Sequence, residues 1–358
     1  MNVTRRKFAL GMAGAAAASA QSNPIRRYFD PSTEVEVLAL SDPAQASYLP
    51  HHGNRSVSSR NGFLVYSTET ANGFQAQRLE VKGGATRLLT TASALEPRSL
   101  ALSPDDRTLY YADGDLLLGT GMSGGKPRQL YQGSAPEIFQ RGLSLSDDGT
   151  NLVLIDQKKL VLVPTAVGRV SRTLAEVEAS QATISKSGQV FVRGTDASIS
   201  VIATTAGAKM RKLPIEGELG PALWSPDGRS ILYLKVNQGK GIPNALFEFS
   251  LDANKEALVG KTSQFVDFGR NADSSVFVGA SGSKAQPFIL IMLRITRREM
   301  ALCEHKSSDP GSVSPVFSPS SQRIYFQSDR LGKPAIFSVA VEKLVERTEQ
   351  DDPPGKKS

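Results

Sequence analysis

The chain has 358 residues, of which 40 % are hydrophobic and 22 % charged, the balance of a globular protein rather than a disordered or fibrous one. Its formal charge is +7, and it holds three histidines and one cysteine. A single thiol excludes an internal disulfide, and a thiolate metal centre needs more than one cysteine.

Residues 1–20 do not read as part of the fold. Thr4-Arg5-Arg6-Lys7-Phe8 precedes an Ala-rich apolar run, and Ala18-Ser19-Ala20 is a small-x-small cleavage site. The run is too short for a membrane span, which needs ~20 apolar residues. The paired arginines resemble a twin-arginine export signal, so a periplasmic or secreted protein is expected. Ala9 stands where that signal prefers a larger apolar residue, which leaves the general secretory route open. Removing residues 1–20 takes away three basic and no acidic residues, leaving +4. That mild charge suits an anionic ligand and gives no nucleic-acid footprint.

Residues 21–32 read as a polar linker, and Val35–Leu40 as a strand. The segment Ser47-Tyr-Leu-Pro-His51-His52-Gly-Asn54-Arg55 follows. If it is extended, the adjacent His51 and His52 point to opposite faces, and only one reaches a channel. Both are candidates for catalysis, since histidine serves as base or metal ligand; ordinary hydrogen bonds in a solvated loop are the alternative.

From here a module repeats. A serine anchor, two turn residues and often a glycine precede a short apolar strand. The anchors are Ser58, Ser103, Ser146, Ser185, Ser225 and Ser318, with a degenerate copy at Gly269. The spacings of 45, 43, 39, 40, 44 and 49 residues average near 43. A period of that length with several strands per repeat marks a β-propeller, and seven anchors predict seven blades over residues 33–345. In the best copy, Ser225-Pro226-Asp227-Gly228, the serine hydroxyl is expected to close the turn rather than act as a nucleophile. A ring must close, so the N-terminal strand is predicted to pair in the last blade, where it would cover an open edge.

Gln264, Asp267 and Arg270 enter the sixth blade. Gln264 and Asp267 are candidates for ligand binding, and Arg270, able to grip a carboxylate, is a candidate for catalysis; bonding to neighbouring blades is the alternative for all three. Asn54 and Arg55 join the ligand-binding candidates. Cys303 lies in an apparent strand and reads as a buried structural thiol. His305 approaches the seventh blade as His51 and His52 approach the first, which makes it and Asp309 candidates for a metal. The tail over 346–358 is charged, holds two prolines and is expected to be disordered.

The Ser-Pro-Asp-Gly repeats look like those of TolB-type propellers. More closely, the chain resembles the oligogalacturonate-lyase-like family of secreted seven-bladed propellers. The resemblance rests on Tyr48-Leu-Pro-His-His-Gly-Asn-Arg-Ser56, Phe63–Glu69, Leu219–Gly228, Pro315–Pro319 and Ile324–Pro334. It implies β-elimination on acidic uronide oligosaccharides of the pectin type, using a base and a cation. It also implies a manganese ion held by histidines and a glutamine, several just before the last Ser-Pro motif. This chain departs there: Asp309–Pro315 has no histidine, and Ser312 and Ser314 stand where ligands are expected. A non-catalytic periplasmic scaffold for a protein partner is the alternative. Neither reading implies a nucleic acid or a membrane span, and both are compatible with a monomer.

Overall fold

A computed structural model of the chain describes residues 21–22, 25–236, 243–262 and 264–341. The expected export signal over 1–20 and the charged tail over 346–358 lie outside them. The described residues form seven antiparallel sheets, the blades of a β-propeller. The blades begin at Ser47–Tyr48, Ala101–Leu102, Leu143–Leu145, Ala179–Ile184, Glu218–Trp224, Phe265–Arg270 and Val316–Phe317. These first strands lie nearest the axis, and each blade steps outward through hairpins.

The anchors explain the hairpin between the first and second strands. At all seven positions the anchor's N–H donates to a carbonyl four or five residues on. Its side-chain oxygen accepts from the backbone N–H of that same residue. The residue three after each anchor donates its N–H back to the anchor carbonyl. That residue is left-handed every time: Asn61, Asp106, Gly149, Gly188, Gly228, Ser274 and Ser321 have φ between 54° and 74°. Ser225 also donates to Asp227 at 2.6 Å, so its hydroxyl is fully committed to the turn.

In the sixth blade the anchor is Asn271, not Gly269. Asn271 Oδ1 accepts from Val276 N–H at 3.1 Å, and Ser274 holds the left-handed position. An amide oxygen does here what a hydroxyl does elsewhere. Gly269 instead lies inside the first strand, where an added Cβ would meet the Pro315 carbonyl oxygen at 2.4 Å. With Asn271 as anchor, the last two spacings become 46 and 47 residues.

Apolar burial is concentrated between blades. Seven hydrophobic clusters each join two neighbouring sheets, including one between the first and seventh. Phe191 and Trp224, for example, meet across the fourth and fifth blades with ring centroids 5.4 Å apart. Arginines on the fourth strands clasp the next blade. Arg87 donates to the Met122 carbonyl, Arg128 to Thr165 at 2.5 Å and Arg172 to Thr204. Each acceptor follows directly on a third strand.

The seventh blade contains both ends of the propeller chain. Glu36–Ala39 pairs antiparallel with Ala335–Ala340, and Arg26–Phe29 pairs with Glu36–Ala39. The expected linker thus contains two strands, Arg26–Phe29 here and Gln21–Ser22, which pairs with Ala85–Leu88 in the first blade. Tyr28 holds Arg26–Phe29 in place, accepting from Arg330 at 2.7 Å with the guanidinium 4.8 Å above its ring. Cys303 is fully buried between the sixth and seventh blades, and burial pushes its thiol well above the usual range.

The turns also set blade spacing. A Cβ on Gly149 (φ 71°) would lie 2.7 Å from Cδ of Pro104 in the preceding blade's turn, whereas Gly168 (φ 75°) faces open space. Gly149→Ala is expected to cost ~2–4 kcal/mol, from backbone strain plus overpacking, and Gly168→Ala about 1 kcal/mol. Denaturant unfolding of the two variants checks this; equal losses would show that the turns do not touch in solution.

Candidate functional site

The first strands converge on a central channel that is divided into two chambers. Histidine and carboxylate form the division: His52 Nε2 lies 2.9 Å from Asp267 Oδ2, and His52 lines both chambers. Gly53 and Asn54 continue the turn that carries His51 and His52. The segment is therefore not extended, and both histidines reach the upper chamber, contrary to the alternation expected of a strand.

The upper chamber, about 340 Å³, opens away from the anchor turns. Three arginines line it: Arg98, Arg141 and Arg193. Inner-strand bulges help to shape its wall. Register shifts between Ala179 and Gln181, Leu219 and Ala222, and Phe265 and Asp267 place Gln181, Pro221 and Asp267 on the chamber. A bulge re-aims side chains and breaks the ladder locally, which also accommodates a proline. Gln181 stands opposite Arg193 in the fourth blade.

This wall is electropositive and incompletely paired. Arg98 donates one Nη to Ser314 Oγ at 2.7 Å, but its buried Nε has no partner. Arg193 donates to the Leu219 carbonyl, and its Nε is likewise unpaired. Burial weakens the proton affinity of both guanidiniums; for Arg98, Asp267 and Glu96 oppose that effect. His51 packs on Gly142, whose missing side chain leaves room for the ring. Its Nε2 is buried without a partner. Burial first, then Arg98 and His52, lower its pKa to about 3, so it is neutral. Asp267 is the chamber's acidic group, and it accepts from His52, Ser314 N–H and Phe268 N–H. Guanidiniums lining a cavity are well suited to a charged acceptor.

The lower chamber, about 320 Å³, lies among the anchor turns and is more apolar, with Leu223, Trp224 and Phe317 on its wall. Arg270 lines it, but its Nε donates to the Trp224 carbonyl at 2.7 Å and its Nη1 to Asn271. Arg55 pairs with Asp106 at 2.7 Å and with the Ser103 carbonyl. Asn54 spends its amide on Leu100, Leu143 and Leu145, tying the first blade to the second and third. These three side chains do interblade work.

The remaining candidates lie elsewhere. Gln264 bonds to Ser281 and Gln286 and lines neither chamber. His305 is fully buried, its Nε2 3.0 Å from the Ser281 carbonyl and its Nδ1 accepting from Ser307 N–H. Both ring nitrogens are thus occupied. Asp309 caps a short 3-10 helix by accepting from Gly311 N–H at 3.1 Å. His305 and Asp309 do not join His51 and His52. Among the described residues no group of three or more His, Cys, Asp or Glu side chains is placed to hold a metal ion. The donors present do not fit manganese: Asp267, the chamber's carboxylate, is already engaged by His52 and two backbone N–H groups, and three guanidiniums on the wall repel a dication.

Arg98, Arg141 and Arg193 were not singled out from the sequence. With the blades aligned on their anchors, Arg98 and Arg141 each stand five residues before a serine, and Asp267 four before Asn271. That register is the signal that finds chamber residues. Arg193 lies on a second strand and carries no such mark.

No protein-family model matches the chain, and no curated protein matches it in sequence. Solved structures do. The fold is similar to that of an oligogalacturonate lyase in complex with manganese, with a TM-score of 0.79 and 19 % identity, over 91 % of this chain and 98 % of that one. An oligogalacturonate lyase from Vibrio parahaemolyticus gives 0.80 and 16 %, over 92 % and 100 %. U3-55K gives 0.61 and 10 %, over 87 % and 100 %. At these identities the likeness is one of fold: this chain is a seven-bladed β-propeller whose fold is similar to that of two oligogalacturonate lyases.

Burial of neutral His51 makes stability depend on pH. Its folded pKa of about 3 lies below the ordinary 6.5, so the unfolded chain binds the proton more tightly. The contribution is complete above pH 6.5 and is lost as pH falls from there towards 3. The expected slope reaches up to about 1.4 kcal/mol per pH unit, and His51→Gln should flatten it. Denaturant unfolding between pH 7 and 4 measures both; identical slopes would contradict the burial.

Proposed function

We propose that this is an exported propeller that binds acidic uronide oligosaccharides of the pectin type in its upper chamber. One observation carries the reading: Arg98, Arg141 and Arg193 line one chamber whose acidic side chain, Asp267, is already engaged by His52 and two backbone N–H groups. A uronide carries one carboxylate per sugar. Guanidinium meets carboxylate through paired, charge-assisted hydrogen bonds, each stronger than a neutral one. Arg98 and Arg193 are held from behind by Ser314 and Leu219, so for these two little ordering remains to be done on binding. Gln140, Gln181 and Ser180 offer polar contacts for sugar hydroxyls.

The fold shared with two oligogalacturonate lyases supports the same ligand class. Export rests on residues 1–20, whose paired arginines and small-x-small site suit passage to the periplasm or beyond. Among the described residues no helix is long and apolar enough to cross a membrane. The scaffold alternative is not favoured, because a concave cationic chamber suits a small anion better than a flat protein surface.

Calorimetry with trigalacturonate tests this. Binding is expected to weaken with added salt and to be absent for maltotriose, an uncharged trisaccharide. Arg98→Gln should weaken it about 10- to 100-fold, the worth of one hydrogen bond to a charged group. No heat from trigalacturonate, or equal binding of maltotriose, would overturn the reading.

A further inference from the structure

Carboxylate binding leaves one chamber group unused. His52 is 15 % exposed, and it points Nε2 at Asp267, which is 4 % exposed. Asp267 already accepts two backbone N–H groups, one on each oxygen, from Ser314 and Phe268. It is fixed in place as an acceptor, so His52 Nε2 carries the proton and Nδ1 keeps its lone pair. Among the described residues no hydrogen bond engages that Nδ1, nor is it a buried orphan. The arrangement is that of an oriented base: one ring nitrogen is held by a buried carboxylate and the other is free.

The other histidines do not offer this. His51 is held neutral by burial and has little affinity for a proton. His305 uses both nitrogens away from the channel. His52 alone couples an accessible lone pair to a carboxylate that stabilises the imidazolium.

We propose that the upper chamber cleaves bound uronide chains by metal-independent β-elimination, with His52 as the base and the Arg98 and Arg193 guanidiniums replacing the cation. The inference rests on the uronide reading above. In the step, His52 Nδ1 takes the proton from the carbon α to the carboxylate. The C–H electron pair becomes the new carbon–carbon double bond through an enolate whose charge the arginines neutralise. The bond from the adjacent carbon to the glycosidic oxygen breaks, and its electron pair leaves on that oxygen. The oxygen takes a proton from solvent, and His52 returns its proton to solvent. An unsaturated uronide and a shorter chain result, with no oxidant and no net water consumed. Asp267 is a positioning residue that acts through His52.

Chelator-treated protein mixed with trigalacturonate gives the test, read as ultraviolet absorbance of the unsaturated product. Growth of absorbance that added manganese does not change is expected. His52→Gln should lower turnover about 10²- to 10⁴-fold, the range for loss of a general base, while calorimetric affinity stays within about threefold. Asp267→Asn should lower kcat and leave KM nearly unchanged. A second measurement needs no variant: wild-type protein in heavy water should exchange the α-hydrogen of methyl galacturonoside for deuterium by NMR. Absorbance growth only with manganese would overturn metal independence. Tight binding with no growth and no exchange would overturn the elimination and leave the binding reading intact. Absence of binding would overturn both.

Discussion

Seven sheets close into a ring only if every inner strand is returned outward at the same depth, and one backbone geometry does this seven times. A side-chain oxygen accepts from an N–H four or five residues ahead, and a left-handed residue stands three after it. The left-handed position is the constraint on which the rest depends. Gly149, Gly188 and Gly228 adopt it cheaply, whereas Asn61, Asp106, Ser274 and Ser321 adopt it at a cost that their surroundings offset. Asp106 shows how: its carboxylate accepts from Ser59 and Arg55 of the neighbouring blade. The strained residue of one turn is thus part of the seam to the next, and the apolar clusters between blades complete it.

The channel follows from that ring. Inner strands placed at equal depth present the residues before each anchor to a common axis, and bulges turn some of them further inward. His52 and Asp267 meet across the axis from the first and sixth blades and split the space. Above them lie three guanidiniums; below them lies a more apolar chamber whose polar side chains are spent on interblade bonds. A positively charged wall and a bound dication are competing solutions to one problem, the neutralising of a substrate carboxylate. Under the function proposed above, the arginine wall takes the former part, while His305 and Asp309 have structural uses.

The fold was largely legible in the sequence because the turn chemistry is local. Ser, Pro, Asp and Gly act on their own backbone neighbours, so a period of about 43 residues shows without any tertiary knowledge. The sixth blade was misplaced by two residues because Asn271 does with an amide what serine does with a hydroxyl. The strand at Arg26–Phe29 was missed because the blade it extends is built from residues some three hundred positions away, with Arg330 bonding to Tyr28. The site was less legible for the same reason. His52 and Asp267 were both named, but their pairing spans 215 residues, and nothing local announces it. Arg98 and Arg193 look like ordinary surface arginines until their burial is known. The two-histidine segment was expected to send only one ring to the channel if extended, whereas a turn brings both rings to one chamber.

A crystal structure of the protein grown with trigalacturonate and manganese tests the central claim most directly, because both candidate sources of positive charge are then offered together. The account predicts a uronide carboxylate between Arg98 and Arg193, its α-carbon facing His52, and no cation in the chamber. A manganese ion bridging the carboxylate to the protein, or sugar seated in the lower chamber instead, would contradict it.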